Sequence, residues 1–476
     1  MRLASILLVV AKLTATDLEH RIDLLAESSG PVGRGFAGIH VVDFATGKTI
    51  YRRNEDRLFL PASNAKLFTT ALALLRLSPE HRFTTQIVRD GNDLVLTGGG
   101  DPSLSGRVFP YRKDAPMGPS LRAIEDLADQ VVASGLRRID GDVAGDDRLY
   151  PWAPYAPSWT QDDALREFGA PVSALSVNDN AIALFVRPAT RPGDPAELSL
   201  DPALEYYAID NRIATVARGS EVKIRIARQP GSRQLLIWGS IPAGHAPIVE
   251  ALAIDDPALY AACALYDALT RRGVSIAGNP VVRHRLATDD YEPPQGATLA
   301  SRTSPPLVSL LQTMDKVSQN LFAELMLREV GRVSRHQGTR EAGLEELDAL
   351  LAELGASKDE ARLEDGSGLS RNAMITPRLI TRLLVFMHAS KFRDDWLSLL
   401  PIGGEDGTLK HRLCCMADGK GIRAKTGSLS RALALAGYAD SKTHGRLAFS
   451  IIVNDFSASQ AEVRAWIDKI ATALLE

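Results

Sequence analysis

Ser63 and Lys66 stand three residues apart at the head of a helical pattern. Ser318 and Asn320 stand two apart, and Lys425-Thr426-Gly427 occurs once, with Ser428 after it. In that order these residues suit acyl transfer through a serine ester. A serine hydroxyl is a poor nucleophile at neutral pH and needs a base within hydrogen-bond reach. Residues three apart on a helix share a face, with Cβ atoms about 5–6 Å apart, so Lys66 can reach the Ser63 hydroxyl. Its amine is a base only when neutral, and burial and a neighbouring cation both push a lysine that way. Lys425 supplies a cation and Thr426 a hydroxyl, which suits a substrate carboxylate. Gly427 lets a ligand approach the strand closely. The backbone N–H groups of Ser428 and Ser63 can donate to a developing oxyanion.

Each motif has weaker copies that local pattern rejects. Ser220-Glu221-Val222-Lys223 repeats Ser-x-x-Lys, but Val222, Ile224 and Ile226 alternate with Lys223 and Arg225. That is a strand with a solvated basic face, on which serine and lysine do not pair. Ser176-Val177-Asn178 and Ser370-Arg371-Asn372 repeat Ser-x-Asn. The first falls among strand-like pieces and the second follows the loop signature Asp365-Gly366-Ser367-Gly368. Only Ser318-Gln319-Asn320 directly precedes a long helical pattern. Gly98-Gly99-Gly100-Asp101 lacks the Lys-Ser/Thr and the following helix of a phosphate loop, and reads as a turn. No His-Glu-x-x-His spacing and no Gly-x-Ser-x-Gly elbow occurs.

The elements that must position these residues fall into three stretches. Residues 38–53 alternate around Ala45-Thr46-Gly47, a hairpin signal, and Leu60-Pro61 leads into a helix with Leu67, Ala71, Leu74 and Leu75 on one face. From 82 to 305 strand-like pieces dominate, broken by turns such as Asp90-Gly91-Asn92 and by two helical patterns, 121–134 and 257–272. After Pro306 long helices return, over 307–311, 321–330 and 341–354. The chain then runs through the strand bearing Lys425, a hairpin back over 447–453, and a helix over 461–475. Strands 38–53 and 422–454 are therefore expected in one antiparallel sheet covered by the terminal helices. Residues 1–81 and 306–476 would form one discontinuous domain, and 82–305 a β-rich insert of two modules.

Composition sets the outer bounds. A chain of 476 residues needs more than one core. A net charge of −3 leaves no basic excess for neutralising phosphates, so no nucleic-acid partner is expected. Three cysteines do not make a disulfide framework, and Cys263, Cys414 and Cys415 read as small buried hydrophobes. Met1-Arg2 before the apolar run Leu3–Ala11 reads as a short signal peptide, the alternative being the start of an ordinary amphipathic helix. No run is long enough to span a bilayer, so at most peripheral membrane association is expected.

Beyond the three motifs, the chain resembles the class C low-molecular-mass penicillin-binding proteins, the serine D-alanyl-D-alanine carboxypeptidase/endopeptidase family. The stretches that carry the resemblance are 60–67 (LPASNAKL), 96–104 (LTGGGDPSL), 174–180 (ALSVNDN), 320–324 (NLFAE), 365–370 (DGSGLS) and 407–410 (GTLK). They span nearly the whole chain. The resemblance implies an α+β fold: a penicillin-binding-protein/β-lactamase-like transpeptidase domain, an antiparallel sheet covered by helices, interrupted by the large insert. It implies Ser63 as nucleophile, Lys66 as general base, Ser318 as proton relay to the leaving amine, and Asn320 as holder of the substrate amide. Lys425 and Thr426 would bind the terminal carboxylate and keep positive charge near Lys66. The middle residue of Ser-x-Asn, Gln319, departs from the usual Asp, Asn or Gly. The expected substrates are peptidoglycan stem peptides, cut at a terminal D-alanine or at D-alanyl cross-links, with β-lactams as inhibitors, in the periplasm or another extracytoplasmic space. No metal or cofactor is needed. A β-lactamase or esterase on the same scaffold, or a non-catalytic wall-binding protein, remain the alternatives.

Overall fold

The computed structural model describes residues 18–26, 30, 32–413 and 421–476. The segment read as a signal peptide and the Cys414-Cys415 pair lie outside the described residues.

The sheet that closes the chain on itself has five antiparallel strands. Their order is Ile422–Leu429, Ala432–Ser441, Gly445–Asn454, Phe36–Asp43 and Thr49–Arg53. Val41 pairs with Phe449 and Phe36 with Asn454, so the first and last strands of the sequence are neighbours, as the pattern predicts. Side chains alternate between two faces along each strand. In the strand Gly445–Asn454, Leu447, Phe449, Ile451 and Val453 pack with the helix over 18–26 and the helix Gln460–Ala473. Ala448 and Ile452 turn the other way, into a larger core shared with the helices Lys66–Leu77, Leu307–Lys316, Asn320–Arg335 and Pro377–Ala389. Both faces are thus covered, which is why this antiparallel strand is almost continuously apolar. Ser459 caps the last helix reciprocally with Glu462, and Thr376 caps the helix Pro377–Ala389 ahead of a proline in its first turn.

Between Leu77 and Leu307 lies a second body of structure. One five-stranded sheet runs Pro280–Arg283, Val143–Asp146, Asp93–Thr97, Thr84–Asp90 and Ala297–Thr303, packed by the helices Arg122–Ala133 and Pro257–Arg271. Two three-stranded sheets enclose a separate core that includes Ile182, Leu184, Leu235, Ile237 and Leu252. The chain enters and leaves this body at one point. Ser304 N–H donates to Phe83 O at 2.9 Å, and Phe83 N–H to Ser304 Oγ at 3.0 Å. Cys263 is half-buried in the helix Pro257–Arg271, and burial raises its thiol to about 11. Lys223 opens the strand Lys223–Ala227 with an exposed side chain paired to Glu221. Among the described residues no helix is long and apolar enough to cross a membrane.

Candidate active site

Ser63 does not sit on the α-helix itself. Residues Ala62–Ala65 form a 3-10 turn, and the α-helix starts at Lys66. The tighter turn, entered through Ala62 at φ +48°, still brings the two side chains together: Lys66 Nζ lies 2.9 Å from Ser63 Oγ. Two further acceptors hold the same amine, Asn320 Oδ1 at 2.6 Å and Ser367 O at 2.9 Å. Lys66 is wholly buried. Burial, followed by the positive charge of Lys425, pushes its proton affinity well below that of an ordinary lysine.

Ser318 and Asn320 are aimed by the residue between them. Gln319 is the N-cap of the helix Asn320–Arg335, its side-chain oxygen accepting from Leu321 N–H at 2.9 Å. The capping duty that Ser or Asn could have taken falls to Gln319, which frees its neighbours. Ser318 stands at φ +64°, a conformation unfavourable for a residue with a Cβ. Its Oγ accepts from Lys425 Nζ at 2.8 Å. Asn320 spans Lys66 and the second body of structure, its Nδ2 donating to Phe168 O at 2.7 Å.

Lys425 and Thr426 lie on the edge strand Ile422–Leu429. The Lys425 amine is wholly buried, held by Ser318 Oγ and by Thr426 O at 2.9 Å, and burial lowers its proton affinity while Asp315 opposes that. Thr426 Oγ1 donates to Thr408 Oγ1 at 2.9 Å. Ser63, Ser318, Asn320, Thr426 and Ser428 meet along a cavity of about 510 Å³, which Phe168 and Arg371 also line. The structure therefore brings these residues, all singled out in the sequence, onto one cavity wall, with Lys66 and Lys425 directly behind it.

Gly427 also has a packing reason. A Cβ there would lie 2.7 Å from Pro61 O and 3.2 Å from Ala62 Cβ. The missing side chain lets the Ser63 turn pack on the strand. Gly427→Ala is expected to cost about 1–3 kcal/mol through overpacking, read as a lower Tm; an unchanged Tm would mean that the Pro61 carbonyl gives way freely.

Sequence reasoning assigned no work to Asp365-Gly366-Ser367-Gly368 beyond a loop. In the fold this loop delivers the Ser367 carbonyl to Lys66. Asp365 accepts from Gly368 N–H at 2.8 Å and Ser370 N–H at 2.7 Å, and Glu324 accepts from Gly366 and Ser367 N–H at 3.0 and 2.9 Å. Gly368, at φ +75°, passes so close to the Ala62 carbonyl that a Cβ would fall 1.9 Å from it. The one available signal was Glu324, four residues after Asn320 and so on the same helical face. Asp315 was also missed. It is wholly buried, bonded to Thr70 Oγ1 at 2.8 Å, and its second oxygen has no hydrogen-bond partner. Burial raises its affinity for a proton, against the pull of Lys425 and Lys66.

Comparison with known proteins sets this geometry in context. Residues 18–474 match the D-Ala-D-Ala carboxypeptidase 3 (S13) family. The chain is 33% identical over 461 residues to a D-alanyl-D-alanine carboxypeptidase of Actinomadura sp., covering 93% of this chain and 82% of that one. It is 25% identical over 418 residues to the D-alanyl-D-alanine carboxypeptidase DacB of Haemophilus influenzae, covering 86% and 83%. In fold it is similar to the crystal structure of penicillin binding protein 4 (dacB) from Haemophilus influenzae, at TM-score 0.82 and 21% identity, over 96% of this chain and 99% of that one. The crystal structure of that protein complexed with a β-lactam gives TM-score 0.77.

Proposed function

We propose that this chain, which belongs to the D-Ala-D-Ala carboxypeptidase 3 (S13) family and is a serine D-Ala-D-Ala carboxypeptidase, acts through Ser63 as nucleophile and Lys66 as general base. The observation that carries the assignment is the wholly buried Lys66 amine 2.9 Å from the Ser63 hydroxyl. A neutral amine has two N–H bonds and one lone pair. Donated to Asn320 Oδ1 and Ser367 O, the two N–H bonds leave the lone pair for the Ser63 O–H.

In this reading Ser63 Oγ attacks the carbonyl carbon of the penultimate D-alanine while its proton passes to Lys66. The negative oxygen of the tetrahedral intermediate is held by the backbone N–H groups of Ser63 and Ser428. The C–N bond then breaks. The proton taken up by Lys66 is relayed through Ser318, beside the Lys425 ammonium, to the departing amine: Ser318 gives its own proton and regains one from Lys66, so D-alanine leaves, Lys66 is neutral again and an ester remains on Ser63. Water cleaves the ester and restores the hydroxyl. Asn320 orients the scissile amide. Thr426 on the cavity wall, with the Lys425 charge behind it, draws the terminal carboxylate. No step calls for a metal or organic cofactor.

The same reading takes residues 1–81 and 306–476 as the acyl-transfer domain and 82–305 as an insert of two modules, supported by the two separate cores of the insert. It extends to D-alanyl cross-links as substrates, to the peptidoglycan stem peptide as the natural partner, and to an extracytoplasmic, periplasmic site of action. β-Lactams, which mimic the D-Ala-D-Ala dipeptide, are proposed to acylate Ser63.

Benzylpenicillin tests it. Incubation is expected to raise the intact mass by the mass of the drug, with the adduct in the peptide that contains Ser63. An adduct elsewhere would overturn the nucleophile; drug hydrolysis without an adduct would favour the β-lactamase reading.

A further inference from the structure

The second body of structure carries a cavity that the chemistry above does not use. It measures about 560 Å³ and is lined by Trp152, Tyr155, Trp159, Thr160, Arg228 and Asp255 among others. That volume suits a small organic ligand, and such sites combine aromatic walls with a few fixed polar groups. The aromatic groups are held in place. Trp152 lies against the His284 ring with centroids 3.9 Å apart, and His284 is fixed by Asp147 at 2.8 Å and Asp256 at 3.2 Å. Tyr155 meets Trp159 edge-on at 6.5 Å and keeps 38% of its surface exposed. The polar groups are equally fixed. Arg228 donates to Tyr207 OH at 2.7 Å and Ala164 O at 3.1 Å, and Asp255 accepts from the same tyrosine with one carboxylate oxygen.

One segment runs past both cavities: Ala164 and Leu165 line this one and Asp163 lines the catalytic one. Trp159 donates its indole N–H to Asp365 Oδ2 at 2.9 Å, in the loop that holds Lys66. Four residues on, Asp163, which lines the catalytic cavity, pairs with Arg371 there. A molecule seated between Trp152, Tyr155 and Trp159 therefore sits one short segment away from a peptide bound at Ser63.

We propose that this cavity binds an N-acetylated sugar of the glycan strand that bears the stem peptide. Sugar rings offer apolar C–H faces to aromatic side chains and hydroxyl or amide groups to a fixed carboxylate and guanidinium. Flat aromatic surfaces with a polar tip suit such mixed ligands. The proposal rests on the stem-peptide reading above. It assigns the insert a second point of attachment, which raises the local concentration of the peptide at Ser63.

Two measurements on the full chain test it. Wild type is expected to hydrolyse a soluble N-acetylglucosaminyl-N-acetylmuramyl pentapeptide with kcat/KM about tenfold above the free pentapeptide, mostly through KM. Tyr155→Ala should erase that preference, with free-pentapeptide turnover and benzylpenicillin acylation unchanged. In Ser63→Ala, tryptophan fluorescence should respond to the peptide-free disaccharide, and Tyr155→Ala added to it should remove the response. Equal kcat/KM for the two substrates in wild type, or a preference that survives Tyr155→Ala, would overturn the proposal. Loss of pentapeptide turnover and of penicillin acylation in the wild type would instead sink the catalytic reading, and the disaccharide titration would still report on the cavity.

Discussion

Ser63→Ala, Lys66→Met and the double variant are expected to lose D-alanine release from a pentapeptide by about the same factor, on the order of 10^4–10^6. The reason is geometric. Without the hydroxyl the amine has nothing to activate, and without the amine the hydroxyl stays protonated, so either change alone disables the pair. Methionine keeps most of the volume and avoids a void in a fully buried position. It also leaves Asn320 Oδ1 and Ser367 O without the donor they share at 2.6 and 2.9 Å. Two unmet buried acceptors cost about 1–3 kcal/mol each, so a lower Tm should accompany the loss, while removal of one hydroxyl should leave Tm nearly unchanged. D-alanine release and thermal melting check both halves. If the double variant were about a hundredfold slower than Ser63→Ala, the amine would be contributing separately from the hydroxyl, contrary to the mechanism.

The second large effect concerns Asp315, which the reaction itself never touches. Wholly buried in the last turn of the helix Leu307–Lys316, it supports the positive charge of Lys425 and, more weakly, that of Lys66. The proposed mechanism needs the two lysines in opposite states, Lys66 neutral and Lys425 charged. The rate of Ser63 acylation should therefore rise with pH as Lys66 loses its proton and fall as Lys425 loses its own. Asp315 favours the charged form of both lysines, so Asp315→Asn lowers both proton affinities. Both limbs of the profile should move to lower pH, the alkaline limb by roughly one unit or more. Between the new alkaline limb and the wild-type limb the rate relative to wild type should drop about tenfold per pH unit. The substituted amide retains the oxygen that accepts from Thr70 Oγ1, so the helix contact should survive. The measurement is the pH profile of benzylpenicillin acylation; profiles that superimpose would remove Asp315 from the electrostatics of the site.

How much of this was legible in the sequence follows from what each feature depends on. The closing of strands 38–53 on 422–454 was readable because each keeps its own period and the two share a sheet only if the chain returns. The motif residues were readable because their spacing is local: three positions between Ser63 and Lys66, two between Ser318 and Asn320. Whatever depends on contact between distant segments was not. The Ser367 carbonyl reaches Lys66 from 301 residues away, and a carbonyl carries no sequence signature at all. Asp315 looked like any acid near a helix end until Lys425 was found behind it. At Gly427 the sequence marked a close approach but could not show that the Pro61 backbone, from the Ser63 turn, is one group that comes close. The 3-10 turn at Ala62–Ala65 escaped because a 3-10 and an α turn place residues three apart on nearly the same side.

The hydrogen bonds that fasten Leu60 to Asn454 span 394 residues, and this has a consequence in time. A chain made from its N-terminus at about 5–20 residues per second exposes Ser63 early and supplies Lys425 and the strand after it roughly 20–80 seconds later. The central sheet cannot close meanwhile, since three of its five strands are the last to appear. The interposed body, complete in sequence well before that, is free to fold first and hold the segments before Leu77 and after Leu307 at a common doorway between Phe83 and Ser304. The order of the strands thus puts completion of the site that joins Ser63, Lys66 and Lys425 at the very end of synthesis.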